Sequence, residues 1–397
     1  MRIEIACFTE NGEALARRIA DLLSANATRL GRGMSPGVCE ESFSANVTRL
    51  GRGVSLSAWT EVAFAKADAL VFVGAAGIAV RAVAPLLVSK AVDPGVLVVD
   101  ETGSYVIPIL SGHIGGANEL ARRIARELSA EAVVTTATDR RGVFAADAWA
   151  ARHGTVVLQP ERIKKISANL LSGGEILWES DFSMEGDIPP GVQVVSPVKT
   201  PKDVQIFLSE ESSARKRESV DNEPLPPPKG EVARRSRDGE GLPRVLVTIR
   251  RSRAENSEAL VLVPKIVVAG VGCRRGVSKE EVLEALTEAF AEADVLPEAL
   301  ADIFSIDKKE GEEGLLEAAA ALGHLPKFFT AEELREVPGN FSGSAFVEKT
   351  VGVDNVCERC AVLGAGGGDL LLPKTAYGRV TVALAQREFN PDFMWRT

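Results

Sequence analysis

Short apolar runs, each closed by glycine or acidic residues, recur along the first third of the chain. Ile3–Phe8, Leu70–Val73, Val96–Asp100, Val106–Leu110 and Ala132–Ala137 read as buried strands. Between them lie segments with helical spacing: Gly12–Leu23, Ile78–Ala84, and Ala117–Leu128 with Leu120, Ile124 and Leu128 on one face. Strands alternating with helices predict an open α/β sheet. Such sheets bind ligands beyond the carboxyl ends of their strands. The predicted ends here are polar or glycine-rich: Gly74–Gly77, Asp100–Gly103, Ser111–Gly116 and Thr138-Asp139. The spacing therefore predicts one cleft lined by all of them.

The pattern weakens over residues 141–208, where Thr155–Leu158, Ile163–Leu171 and Ile176–Trp178 suggest a small middle domain. Residues 209–262 mix charges of both signs with the run Pro226-Pro227-Pro228, the composition of a flexible linker. Within it, Leu242–Ile249 is apolar enough to add a strand. Regular alternation returns with the strand Ile266–Ala269, the glycine loop Gly270–Gly276 and the helix Lys279–Phe290, opened by a capping box at Ser278 and Glu281. A helix at Glu313–Leu322 and strands at Leu325–Phe329, Leu370–Leu372 and Arg379–Ala385 follow. The expected architecture is two outer α/β domains with open, mostly parallel sheets (1–140 and 263–397), joined through the middle domain and the charged linker. Ser24–Ser35 recurs almost unchanged as Ser44–Ser55, which reads as a duplication lengthening a surface loop.

Bulk composition narrows the function classes. A formal net charge of -9 and 5% aromatic content argue against nucleic-acid and anionic-membrane binding. No basic n-region with an apolar core opens the chain, and the run Ala69–Val80 stops at Arg81, well short of a membrane span. The 5 scattered cysteines fit free thiols, and a cytoplasmic protein is expected.

The chemistry concentrates in SGHIGG, Ser111–Gly116. Glycines around one histidine leave backbone N–H groups open at a helix start, where an anion or polarised carbonyl is favoured. His113 can move protons near neutral pH, and Glu101 and Asp139 fall at neighbouring predicted strand ends. In the last domain, Gly270-x-Gly272-x-x-x-Gly276 approaches a dinucleotide fingerprint with one residue too many. Arg274 and Arg275 within it suit a carboxylate-rich ligand. Cys357-Glu-Arg-Cys360 has no second pair and reads as buried thiols on one helix face, so no metal site is expected. Glu358 and Lys374 are secondary candidates in the same domain.

Taken together, GAAGIAVRAVAP (Gly74–Pro85), VDETGSYVIPILSGHIGGANELA (Val99–Ala121), TTATD (Thr135–Asp139), GVGCRRG (Gly270–Gly276) and FSIDKKEGEEGL (Phe304–Leu315) resemble the CbiG family, the cobalt-precorrin-5A hydrolases of anaerobic cobalamin biosynthesis. The resemblance spans roughly residues 60–140 and 265–388. It implies opening of the ring-A lactone of cobalt-precorrin-5A and loss of the methylated meso carbon as acetaldehyde. Cobalt would arrive with the substrate, so no cofactor of the protein is expected. Partners would be the cobalt-corrinoid itself and neighbouring enzymes of the pathway. On this reading His113, Glu101 and Asp139 are catalytic candidates. Gly74, Gly77, Arg81, Ser111, Gly112, Gly115, Gly116, Asn118, Arg274, Arg275 and Lys374 would bind substrate. A corrinoid carrier without catalysis, and an NAD(P)-dependent oxidoreductase built on Gly270–Gly276, are the alternative readings.

Overall fold

The computed structural model describes residues 1–30, 44–51, 53–89, 92–195, 241–343, 348–349 and 351–395. They form α/β units on three mainly parallel sheets. In the first, strands β1 (Arg2–Cys7), β2 (Ser44–Arg49), β3 (Ala69–Val73), β4 (Gly95–Val99), β5 (Tyr105–Leu110) and β6 (Glu131–Ala132) lie in the order β2-β1-β3-β4-β5-β6. Helices α1 (Glu10–Leu30) and α4 (Ala117–Leu128) cover one face, burying Ile3, Ile5, Val71, Leu97 and Ile124. Helices α2 (Leu56–Lys66) and α3 (Ala76–Val83) cover the other, over Leu70, Phe72, Val96 and Val98. Successive strand residues point to opposite faces, so strands covered on both sides read as unbroken apolar runs.

Two expectations about this sheet change. The strand β5 runs antiparallel to β4, with Val96 opposite Leu110, because a tight turn at Asp100–Ser104 makes the pair a hairpin. The loop Ser111–Gly116 consequently lies at the amino edge of β3 and β4, away from Gly74–Gly77 and Asp100–Gly103. The expected strand Ala132–Ala137 is only two residues long, and the chain turns into helix α5 (Ala137–Arg141). The duplicated segment also behaves differently from a plain loop. The second copy supplies strand β2, paired with β1, whereas Ser24–Leu30 of the first copy continues α1. The rest of the first copy lies outside the described residues.

The middle sheet, ordered β7-β11-β10-β8-β9, contains β7 (Thr155–Val157), β8 (Ile176–Ser180), β9 (Val192–Val195), β10 (Arg244–Val247) and β11 (Leu260–Pro264). Two of its three inner strands, β10 and β11, fall within or at the end of the stretch assigned above to the linker. They are apolar and fully buried at Val245, Val247, Val261 and Leu262, which is why they seat at the sheet centre. Residues 196–240, with the proline run, lie outside the described residues. Helices α6 (Ala146–Arg152) and α7 (Ile163–Leu171) pack on one face around Trp149 and Trp178, joined there by Phe393 from the chain's last residues. The opposite face, through Leu246, Val261 and Val263, shares a continuous core with the third unit.

That third unit holds β12 (Val267–Cys273), β13 (Leu300–Ile306), β14 (Lys327–Phe329), β15 (Leu370–Tyr377) and β16 (Val380–Gln386), ordered β14-β13-β12-β16-β15. The capping box at Ser278 and Glu281 opens the helix Lys279–Glu292 as the sequence predicts. The glycine loop does not form where expected. Gly270 and Gly272 sit inside β12. A Cβ at Gly270 would strike the Cys357 carbonyl of the helix Cys357–Gly364, and one at Gly272 would lie 2.6 Å from Thr381 Oγ1. Gly270 makes room for that helix and Gly272 for Thr381 on the neighbouring strand β16, so both glycines belong to the strand rather than to a turn. The dinucleotide reading therefore loses its structural basis. Cys357 and Cys360 are buried thiols as read, and burial pushes Cys357 up to about 11.

Candidate active site

The loop after β5 is shaped by its glycines. Gly116 has φ +71°, a conformation glycine adopts without a Cβ penalty. A Cβ on Gly112 would lie 2.6 Å from Asn118 Oδ1, and one on Gly115 would lie 2.5 Å from Ser111 Cβ. Ser111 itself is held at φ 49°, and its buried hydroxyl has no hydrogen-bond partner among the described residues. The loop closes on α4 through Gly116 N–H to His113 O at 2.9 Å and Asn118 N–H to Gly112 O at 2.8 Å. By contrast, the N–H groups of Gly112, His113, Ile114 and Gly115 donate to no acceptor among the described residues. Beside them, Ile114, Gly115 and Gly116 line a cavity of about 360 Å³ together with Asp68, Asp93 and Ala151. Gly95 is required next to it, since a Cβ there would approach Gly115 O to 2.6 Å.

His113 is gripped at both ring nitrogens. Its Nε2 lies 2.7 Å from Asp139 Oδ2 and its Nδ1 lies 2.9 Å from Asp147 Oδ2, with all three side chains 10–15% exposed. Burial alone would lower the imidazole pKa. The hydrogen bonds and charges of the two carboxylates outweigh it and leave the group raised to about 9. Burial likewise opposes the charge on Asp139, but bonds from His113 and Arg122 hold its carboxyl well below the usual range. Asn118, 4% exposed, donates its side-chain amide to Thr136 Oγ1 at 2.8 Å and to Asp139 at 3.0 Å. The result is a charged imidazolium fixed between the first unit and α6 of the middle unit. A protonated ring with both N–H groups engaged has no lone pair with which to act as a base.

The cavity supplies another carboxylate. Asp68, just before β3, is exposed and accepts the Arg2 backbone N–H on Oδ2 at 2.6 Å, leaving Oδ1 without a partner among the described residues. Asp93 is 7% exposed and accepts the Val88 N–H. Neither these aspartates nor Asp147 and Arg122 stood out in the sequence. The first two sit at strand starts, where the strand-end rule does not look, and Asp147 lies 34 residues beyond its partner. The pairing of His113 with Asp139 is the part of the site that adjacent strand ends did announce.

The remaining candidates fall elsewhere. Glu101 is in the β4–β5 turn, bonded to Thr9 Oγ1, about the length of β5 or roughly 20 Å from the glycine loop. Gly74 ends β3 at φ 151°, and Gly77 opens α3 close to the Arg81 guanidinium, all on Glu101's side of the sheet. Arg274 and Arg275 are exposed at the carboxyl end of β12, their backbone pinned by Arg379. Lys374 sits in an irregularity of β15, where its freed N–H donates to Glu358 at 2.7 Å. Glu358 is 2% exposed and also accepts from Ser342 N–H at 2.9 Å and Asn355 Nδ2 at 2.5 Å, so it anchors local backbone. Among the described residues no three His, Cys, Asp or Glu side chains gather as a metal ion requires. No described helix is long and apolar enough to cross a membrane.

Residues 58–139 match the family described as cobalamin synthesis G N-terminal, and residues 267–385 match cobalamin synthesis G C-terminus. A cobalt-precorrin-5A hydrolase of Salmonella typhimurium is 33% identical over 372 residues, covering 92% of each chain. One of Priestia megaterium is 29% identical over 327 residues, 80% of this chain and 78% of that protein. The crystal structure of a cobalamin biosynthesis protein G homologue from Sulfolobus solfataricus covers 97% of both chains at 20% identity and a TM-score of 0.39. The chain belongs to the CbiG family of cobalamin synthesis.

Proposed function

We propose that this protein hydrolyses cobalt-precorrin-5A, opening its ring-A lactone and releasing acetaldehyde to give cobalt-precorrin-5B. The observation that carries the chemistry is the run of N–H groups from Gly112 to Gly115 without acceptors among the described residues, beside the Asp68-lined cavity. Lactone opening puts negative charge on the carbonyl oxygen, and preorganised amides are the donors such an oxyanion needs. The neighbouring imidazolium, paired at both nitrogens, fixes the loop without giving up a proton. Asp68 is the carboxylate placed to take the proton of the attacking water. It hands that proton to the ring oxygen as the carbon–oxygen bond breaks, and then takes it back from the alcohol so freed. Carbon–carbon cleavage follows as a retro-aldol step, and the released electron pair passes into the macrocycle. The cobalt is part of the substrate, so the proposal asks for no cofactor of the protein. Arg81, Arg274, Arg275 and Lys374 lie outside the cavity lining and would serve only peripheral carboxylates of the substrate.

Anaerobic mixing with cobalt-precorrin-5A tests this directly. One acetaldehyde per substrate is expected, and Asp68→Asn should slow its release at least 100-fold, about 3 kcal/mol of barrier. A corrinoid spectrum that binds without acetaldehyde would identify a carrier instead, and absence of binding would remove the reading altogether.

A further inference from the structure

We infer that Asp147, in the middle unit, is a positioning residue for the glycine-loop site, acting through His113 on the backbone of Gly112–Gly115. The inference rests on the reading of that loop as the place where the lactone carbonyl is held. The loop has three glycines in six residues and therefore little intrinsic stiffness. His113 is its one long polar side chain, and its ring is tethered to Asp139 on α5 and Asp147 on α6. Asp139 is itself braced by Arg122 and Asn118 from α4. These are the charged and polar groups around the imidazole.

Asp147 is set by a rigid base. Its Oδ1 accepts the Ala148 N–H at 3.0 Å, and the adjoining Trp149 is fully buried against Trp178 with ring centroids 4.8 Å apart. An imidazolium held at one nitrogen can swing about that bond, whereas one held at both cannot. Without Asp147 the His113 Nδ1–H loses its acceptor, and the loop amides lose the anchor that aims them. Misaimed donors weaken transition-state binding more than ground-state binding. The loss should fall on kcat. Nothing in the two family matches assigns residues between 140 and 266 a part in the reaction, and this contact gives the middle unit one.

The test uses the full chain with Asp147→Asn, and Asp147→Glu as the variant that keeps the charge. Three quantities are read: the His113 ring titration by NMR, the 15N order parameters of Gly112–Gly115, and kcat and KM for acetaldehyde release. Asp147→Asn should move the His113 midpoint down by at least about one pH unit and lower the loop order parameters. It should cut kcat about tenfold or more with KM within threefold, and the alkaline limb of the kcat profile should shift with the histidine. Asp147→Glu should recover part of each change. Unchanged titration and unchanged loop order in Asp147→Asn would overturn the assignment. If both move while kcat stays within twofold, Asp147 positions the loop as inferred, and the reading of the loop as the reacting site is what fails.

Discussion

At the residue scale, the glycine loop separates two reasons for glycine, and the two respond differently to substitution. Gly115→Ala puts a methyl group 2.5 Å from Ser111 Cβ and 2.9 Å from Ser111 O, so backbone must move. Gly116→Ala meets nothing within 4 Å and incurs only the left-handed φ of 71°. Overpacking of that kind costs about 1–3 kcal/mol, and a non-glycine left-handed residue about 1–2. Gly115→Ala should therefore abolish most acetaldehyde release with a lowered Tm, while Gly116→Ala should keep a substantial fraction; equal losses would mean that packing against Ser111 is not what matters. The His113 clamp gives a pH signature as well. A histidine whose pKa is raised on folding stabilises fully below about pH 6.5 and loses that contribution as pH climbs through about 9. Its size is at most about 3 kcal/mol. Asp139, held low, contributes above about pH 4 and fails as pH falls. Urea midpoints should thus be highest near pH 5–6.5 and decline toward 9, and His113→Gln should flatten the alkaline decline. This much could be read in advance: His113 and Asp139 follow adjacent strands, so their meeting was legible. Asp147 was not, because no periodicity or motif marks the first turn of a short helix as another loop's acceptor.

At the scale of elements, strands were easier to find than to orient. Four of the five expected strands of the first sheet exist and the fifth survives only as Glu131–Ala132, yet the apolar run of β5 carries no sign of its direction, and only the turn Asp100–Ser104 reverses it. Reversal is what splits the predicted cleft and carries Glu101 away from His113. The duplicated stretch makes a related point. SANATRL ends a helix and SANVTRL forms β2, the differing residue being Ala27 in one and Val47 in the other. Alanine favours helix, and a β-branched residue favours a pleated surface, but pairing to β1 decides the matter. In the third unit, glycine spacing suggested a ligand loop where the helix Cys357–Gly364 simply needs room. Gly270→Ala should then destabilise by several kcal/mol, since the Cys357 carbonyl cannot yield without moving the helix. Saturating NAD(P)H should leave the wild-type Tm unchanged. A rise in Tm with the nucleotide would reinstate the cofactor reading.

At the scale of the whole molecule, the order of apolar segments along the chain did foretell α/β units, but not how one unit borrows from another. The middle sheet takes two of its three inner strands, β10 and β11, from beyond residues 196–240, and its core takes Phe393 from residues further still along the chain. The apolar run Leu242–Ile249 announced β10, whereas composition averaged over the charged stretch hid β11. Helix α6 is where these borrowings converge. Asp147 holds His113, Trp149 Nε1 donates to Asp392 O at 2.6 Å, and His153 Nε2 lies 3.2 Å from Asp392 Oδ1. From Asp147 to His153 is about 9 Å along the helix axis. Asp392 and Phe393 are consequently a handle on the first unit, and removing the segment that carries them is no neutral change. Ending the chain after Glu388 removes the buried Phe393 and uncovers Trp149 and Trp178. Such a truncation should redden tryptophan emission, lower Tm and slow acetaldehyde release although every cavity residue is retained. Full turnover from the shortened chain would show that α6 holds its place without the tail.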